Sequence, residues 1–510
     1  MQIAQLLETQ SQKYSHKPAI IFKDQAIDFT QLKNNAFKLA DSLLKLGIKK
    51  QDKVVIYLPN WPEYIYSYLA IWSIGAVAVP LDFMLTEEEI ISCAAHAEAK
   101  AIILKSKPQV SPDKIKTQCP SLKHIILYQE KISDYLSFEE LIERGATNIP
   151  KEEINDKDYA TIFYTSGTTG KPKGVLTNYL QIEAPAKAMS YFVDLNDKDV
   201  ALCVLPLSHL GGLVFVQAII YLGTAVLLMD RFVPLEFLRN VGEYKATCFW
   251  LVPPMYYAIL QLKEFESFDL SSLRFICVFG APSSIEQIKR FHKYCPNALL
   301  YHGWGMTETQ GPTIVTPGDL NKIESVGRPL PWIEVKIFND KDKELAAGQI
   351  GEIVVRGEVV TDGYYKDPQI TAQAMRNGWF HTGDLGRFDS DGDLYIVGRI
   401  KEMIKVGGEI VFEPEIEQVL HKHSDIAEVA VIGVPDKLRG EVLKAFVVLK
   451  EGKHLNQDEL RYFSRQHLAH FKIPHYFEFM PDLPKNRAGK IDKEKLRQEN
   501  LAHEKIHKLV

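Results

Sequence analysis

Cysteine is scarce and scattered. The six residues Cys93, Cys119, Cys203, Cys248, Cys277 and Cys295 include no Cys-x-x-Cys pair, which excludes a zinc-finger or redox motif and a disulfide framework and suits a reducing compartment. Charge of one sign is equally scarce. A formal net charge of -5 over 510 residues gives no general attraction to nucleic acid or anionic membrane, so any basic site must be local. The opening Met1-Gln2-Ile3-Ala4-Gln5 lacks a basic segment leading into an apolar core, so no signal peptide is expected and the protein is expected in the cytoplasm. Tyr64 to Leu81 and Gly211 to Met229 are both uncharged and long enough to raise a membrane span; the first divides at Gly75 into a helix-like half and a short strand, and the second is the longer. Glycines, Gln217 and Thr224 interrupt it, and it reads better as a buried helix ending near Gly223 followed by a strand, Thr224 to Leu228.

What is present is a multidomain α/β chain. At about 150 residues per domain its length implies two to four units, and 46% hydrophobic with 25% charged residues is ordinary globular composition. Helical patterns such as Phe29 to Leu46 alternate with apolar strands such as Lys53 to Leu58 and Ala101 to Leu104, as in parallel sheets. In this region Trp61, Tyr64 and Tyr68 read as core or groove wall. The stretch around which the chain is organised is Tyr164-Thr165-Ser166-Gly167-Thr168-Thr169-Gly170-Lys171-Pro172-Lys173-Gly174. Hydroxyl donors, glycines that admit backbone N–H groups and two lysines make a polyphosphate cradle. Its spacing is not that of the P-loop.

This segment resembles the signature of the adenylate-forming (AMP-binding) superfamily, and further stretches agree in the family's order. Leu205-Pro206-Leu207-Ser208-His209, Gly280-Ala281-Pro282, Gly303-Trp304-Gly305-Met306-Thr307-Glu308, Thr382-Gly383-Asp384, Gly398-Arg399-Ile400-Lys401 and Leu483-Pro484-Lys485-Asn486-Arg487-Ala488-Gly489-Lys490 match its motifs, with Asn486 in place of the usual threonine. The resemblance implies a large, multi-subdomain N-terminal domain with parallel-rich sheets, residues 1–399, and a small mobile α+β domain, residues 400–510. It assigns Thr165, Ser166, Gly167, Thr168, Thr169, Lys173, Gly280, Ala281, Pro282, Gly303, Trp304, Thr307, Asp384, Arg399 and Lys490 to ATP and AMP. His209, Thr307, Glu308 and Lys490 become catalytic, Glu308 and Thr168 magnesium ligands, and Lys401 a hinge. Lys405, Gly407 and Gly408 would face the thiol of coenzyme A.

The implied activity is that of an acyl-CoA synthetase: a carboxylic acid is activated by ATP as acyl-AMP and passed to CoA. The uncharged walls of Leu205 to Met229 suit a medium- or long-chain fatty acid, and a benzoate- or coumarate-type aryl acid is the alternative. An acyl carrier protein in place of CoA, and a non-catalytic acyl or ATP sensor, are the other readings. No cysteine, nor Ser208, is needed as a nucleophile.

Overall fold

The computed structural model describes residues 2–148, 152–165, 173–280, 285–316, 322, 324–406, 409–436, 439–485 and 491–507. By internal contacts these form two units, one from the described residues of 1–280, 286–334 and 355–380, the other from those of 281–285, 335–354 and 381–510.

The first unit holds two large sheets. In the seven-stranded sheet, the apolar runs Lys53–Tyr57, Val77–Pro80 and Ala101–Leu104 lie parallel at the centre. Tyr159–Thr165 and Lys173–Asn178 form an antiparallel pair at one edge. Continuous apolar strands of this kind require cover on both faces. Helix Phe29–Lys45 supplies part of that cover. It starts at a reciprocal Asp28–Gln31 capping box and buries Leu32, Ala36, Phe37, Leu39, Ala40 and Leu43. Helix Pro62–Ser73 begins with a proline, whose missing N–H is no loss in a first turn. Its Tyr64, Tyr68 and Trp72 rings pack in series at 5.4 and 4.9 Å. All three are buried, with Tyr68 donating to the Leu207 carbonyl at 2.9 Å and Trp72 to that of Ala160 at 3.0 Å, so Tyr64 and Tyr68 are core as expected.

The nine-stranded sheet has a parallel centre, Leu299–Met306, Phe275–Val278, Cys248–Leu251, Val200–Cys203 and Ala225–Leu228 in spatial order. The uncharged run resolves as expected. Helix Leu210–Gln217 passes into a π turn, Ala218–Leu222, and ends at Gly223, whose φ of 72° favours glycine. A Cβ there would also strike the Tyr14 ring at 2.4 Å. Among the described residues no helix is long and apolar enough to cross a membrane.

The second unit carries most of a five-stranded sheet containing Trp379–Phe388 paired with Leu394–Arg399. It also holds a separate sheet in the order Glu409–Phe412, Met403–Val406, Gly440–Leu449, Ile426–Asp436, with Tyr476–Phe479 parallel to Gly440–Leu449. Helices Glu413–His421 and Gln457–His467 bury Ile416, Leu420 and Leu460 in the core of that second sheet, an α+β arrangement. The first turn of helix Lys493–His507 is tied to helix Glu413–His421 by a buried ion cluster: Lys493 lies 2.9 Å from Glu413 and 2.7 Å from Glu417, and Arg497 lies 2.6 Å from Glu413.

Candidate active site

The expected cradle follows strand Tyr159–Thr165, which pairs antiparallel with Lys173–Asn178 as a hairpin. Thr165 and Lys173 are the last described pair of its two strands, and Ser166, Gly167, Thr168 and Thr169 lie outside the described residues. Gly174 has a steric role rather than the anion-approach role read from sequence: a Cβ would meet Ile162 at 2.8 Å and Tyr365 at 3.3 Å.

The segment Thr361 to Tyr365 docks on this hairpin. Tyr365 N–H donates to the Gly174 carbonyl at 2.7 Å, Leu176 N–H to that of Gly363 at 3.1 Å, and the Thr361 hydroxyl to that of Leu176 at 2.6 Å. Docking places Tyr364 between two of the expected site residues. Its ring faces the Lys173 ammonium at 5.6 Å, and its hydroxyl donates to Glu308 Oε1 at 2.9 Å. Burial, then the Glu308 carboxylate, raises the phenol's pKa, so Tyr364 stays a donor. Glu308, 9% exposed, follows strand Leu299–Met306 in the short turn Thr307–Thr309, at the end where parallel sheets place ligands. Thr361 N–H donates to its backbone carbonyl at 2.8 Å. Tyr364 belongs to none of the stretches singled out in the sequence. Its aromatic ring two residues beyond a Thr-Asp was the available signal.

Gly303 and Gly305 are held to glycine by packing, with Phe279 at 2.4 Å and the Gly311 carbonyl at 1.9 Å from a hypothetical Cβ. Trp304, between them, is buried in its strand opposite Ile314. Gly280 follows strand Phe275–Val278 at φ 88°, and among the described residues only Val252, at 3.5 Å, lies near a hypothetical Cβ. Ala281 and Pro282 lie outside the described residues.

His209 occupies the N-cap of helix Leu210–Gln217 and has a partner that sequence did not reveal. Its Nε2 lies 2.9 Å from Asp82 Oδ2, with His209 48% exposed and Asp82 largely covered. Asp82 follows strand Val77–Pro80, and its Oδ1 accepts the Met84 N–H at 2.7 Å. A carboxylate on Nε2 fixes the ring's orientation and selects the tautomer. The adjacent glycines divide in role. A Cβ on Gly212 would collide with the Pro206 carbonyl at 2.1 Å, whereas one on Gly211 meets only Leu205, at 3.2 Å. Beside Gly211 stands a flat plate, Trp250 stacked on Phe215 at 3.8 Å, with the indole N–H donating to the Gly211 carbonyl at 3.0 Å.

In the second unit Asp384 lies within a strand, not in the turn suggested by its glycine neighbour; Gly383, at φ 72°, supplies the local kink. Asp384 and Arg399 are cross-strand partners, with Oδ1 3.0 Å from Nε. Lys401 lies in the short turn Ile400–Glu402 and Lys405 on strand Met403–Val406. Their side chains, together with Gly407, Gly408 and Lys490, fall outside the description. The stem below Lys490 is described: Lys485 bridges Ile491, and Asp492 N–H donates to the Pro484 carbonyl at 2.7 Å.

Residues 7–365 match the family described as AMP-binding enzyme, and residues 415–490 match the AMP-binding enzyme C-terminal domain. A long-chain-fatty-acid–CoA ligase of Bacillus subtilis (strain 168) is 32% identical over 98% of this chain and 95% of its own length. A 4-coumarate–CoA ligase of Solanum tuberosum is also 32% identical, over 95% of this chain and 91% of its own. The crystal structure of the anthranilate CoA ligase AuaEII with anthranoyl-AMP superposes with a TM-score of 0.90 at 28% identity, covering 98% of this chain and 97% of that one. The chain belongs to the adenylate-forming AMP-binding enzyme family, in its acyl-CoA ligase branch.

Proposed function

We propose that this enzyme joins a medium- or long-chain fatty acid to coenzyme A in the cytoplasm, through an acyl-AMP intermediate. The observation that carries the reading is Tyr364, which ties the base of the phosphate cradle to Glu308. A carboxylate can attack the α-phosphorus of ATP only where the charge of both anions is offset. Lys173, Thr165 and the hydroxyls Ser166, Thr168 and Thr169 serve the phosphates, with the loop glycine Gly167. Glu308, a buried carboxylate that accepts from the Tyr364 phenol, has the hard oxygen donors that magnesium takes when the remaining ligands are phosphates and water. With Thr168 it would hold the ion, which when bound neutralises phosphate charge. Gly280, Ala281, Pro282, Gly303 and Trp304 serve the adenine, Asp384 and Arg399 the ribose, and Thr307 a phosphate oxygen. Lys490 bridges the substrate carboxylate and the α-phosphate.

Pyrophosphate leaves as the carboxylate oxygen bonds to phosphorus. The thiol of CoA then attacks the acyl carbon, loses its proton and expels AMP. In this reading residues 1–399 form the adenylation domain and 400–510 a second domain that turns about Lys401, so that Lys405, Gly407 and Gly408 face the thiol. Lys490→Ala is expected to suppress pyrophosphate exchange while sparing thioester formation from supplied acyl-AMP, and Lys401→Pro, by stiffening the hinge, to do the reverse. Equal loss of both half-reactions in either variant would overturn the two-orientation scheme.

The apolar helix Leu210–Gln217, and Gly211 whose Cβ side faces the apolar Leu205 side chain, support an apolar acid. An aryl acid is the second reading, since a flat ring suits the same apolar walls. Asp82→Asn is expected to lower kcat for adenylate formation about tenfold with KM for ATP unchanged, the loss of one charge-assisted hydrogen bond of about 1.5 kcal/mol. An unchanged kcat would remove Asp82 from the site. The deciding experiment is ATP–pyrophosphate exchange over fatty, aryl and dicarboxylic acids, followed by thioester formation on CoA and on holo acyl carrier protein. Fatty-acid exchange with transfer to CoA supports the reading. Aryl-acid exchange, or transfer only to the carrier protein, replaces it, and ATP binding with no exchange for any acid would make the protein a sensor.

A further inference from the structure

Two residues with positive φ, Gln310 at 55° and Gly311 at 97°, reverse the chain just after Glu308. They return it from the turn Thr307–Thr309 into strand Gly311–Val315, which runs antiparallel to Leu299–Met306. Glycine takes this left-handed region without strain, and a long side chain does not. Among the described non-glycine residues with positive φ, Gln310 alone is buried, at 3% exposure. A residue kept in a costly conformation inside the protein is kept there by its surroundings. For Gln310 these are hydrogen bonds at both ends of its amide.

Its Oε1 accepts the Thr177 hydroxyl at 3.2 Å, and its Nε2 donates to the Thr307 carbonyl at 3.3 Å. The Gln310 backbone N–H donates to the same carbonyl at 3.2 Å. Thr177, also buried, lies on strand Lys173–Asn178. One amide therefore joins the strand that starts at Lys173 to the turn that presents Thr307 and Glu308. A primary amide suits the task because it accepts at one end and donates at the other, and in a buried setting an end left unmade is costly. Neighbouring bonds steady both parts. The Thr309 hydroxyl accepts the Met306 N–H at 3.1 Å and closes the turn, while Asn178, next to Thr177, donates through Nδ2 to Asp362 Oδ2 at 3.0 Å, on the segment that carries Tyr364.

We infer that Gln310 is a positioning residue: through Thr177 it sets Thr307 and Glu308 against the strand of Lys173, so that the groups meant for the nucleotide's phosphates keep one register. This rests on the acid–thiol ligase reading, in which Lys173, Thr307 and Glu308 serve those phosphates, and adds what holds them together.

The test is calorimetric titration of full-length variants with ATP and, separately, with adenosine, which lacks the phosphates. Gln310→Met keeps the volume and removes the amide; it is expected to weaken ATP about tenfold and to leave adenosine unchanged. Gln310→Gly removes the amide and the backbone strain together and should show the same split, so the outcome does not hang on whether the methionine variant folds. Thr177→Val should match them, and Thr177→Ser, which restores the hydroxyl, should bind ATP as the wild type does. Thr177→Val combined with Gln310→Met should weaken ATP no further than either alone, because both remove one connection. Unchanged ATP binding, equal weakening of ATP and adenosine, or additive effects in the double variant would overturn the role. Pyrophosphate exchange by the wild type separates the two readings. Its absence with every acid defeats the ligase reading, whereas the titrations still decide whether Gln310 sets the phosphate-binding groups; a wild type that binds no ATP defeats both.

Discussion

Replacing Asp384 with alanine is expected to lower kcat/KM for ATP in pyrophosphate exchange by at least about a hundredfold. The estimate follows from the proposed ribose role, in which two hydroxyls would donate to the carboxylate in hydrogen bonds each worth about 1.5–3 kcal/mol. The carboxylate is buried, and Arg399 holds one of its oxygens at 3.0 Å, so its orientation is set before the nucleotide arrives and little is lost in ordering it. Asp384→Asn should fall between, since an amide oxygen still accepts but carries no charge. The fold is expected to survive. Arg399 is 46% exposed and can turn to water, so the broken pair costs little and Tm moves by a few degrees at most. Exchange kinetics and a thermal melt on the same samples decide the matter. A large Tm loss with unchanged KM would mean that Asp384 only ties its two strands together.

The parallel strands were legible because they announce themselves as uninterrupted apolar runs, and the motifs that carry the family are local: a glycine-rich stretch after an apolar strand and a Gly-Met-Thr-Glu at a strand end each lie within a few residues. The illegible parts are contacts made at a distance. Asp82 and His209 are 127 residues apart, and neither periodicity nor composition links them; their meeting depends on two strand ends from different sheets. Tyr364 reaches Glu308 across 56 residues because a hairpin edge accepts a docking segment. The glycines were legible as conserving space but not as to why. Gly212 makes room for the Pro206 backbone, while Gly174 and Gly211 face neighbouring side chains, and only the packed backbone distinguishes these cases.

The ion cluster at the start of the last helix shows how such distant contacts bear on chemistry, and Lys493→Met should expose it. Glu413 is 1% exposed and depends on Lys493 and Arg497; Glu417 receives the Val431 N–H at 2.7 Å and otherwise depends on Lys493. Burial pushes the Glu417 carboxyl up to about 7 even with the lysine beside it. Burial also disfavours the Lys493 cation, but the two carboxylates outweigh it and raise its pKa. Methionine keeps the stem's volume and removes the charge. That leaves a buried carboxylate uncompensated, with an expected cost of about 3–5 kcal/mol at pH 8. The sign of the pH dependence follows from Glu417. Its folded pKa lies above the unfolded value of about 4.3, so proton binding favours the folded state, a contribution complete below that value and lost as pH rises through about 7. In the variant the folded pKa climbs further, and stability should fall steadily from about pH 5 to beyond pH 7. Lys493 also begins the helix that follows the Lys485–Ile491 bridge, the stem beneath Lys490. Loosening it should therefore reduce pyrophosphate exchange more at pH 8 than at pH 6. The control is Glu417→Gln added to Lys493→Met, which removes the stranded charge while keeping an acceptor for the Val431 N–H. Recovery of most of the lost stability at pH 8 is expected. If the double variant unfolds with the single one at every pH, lost packing rather than charge accounts for the effect.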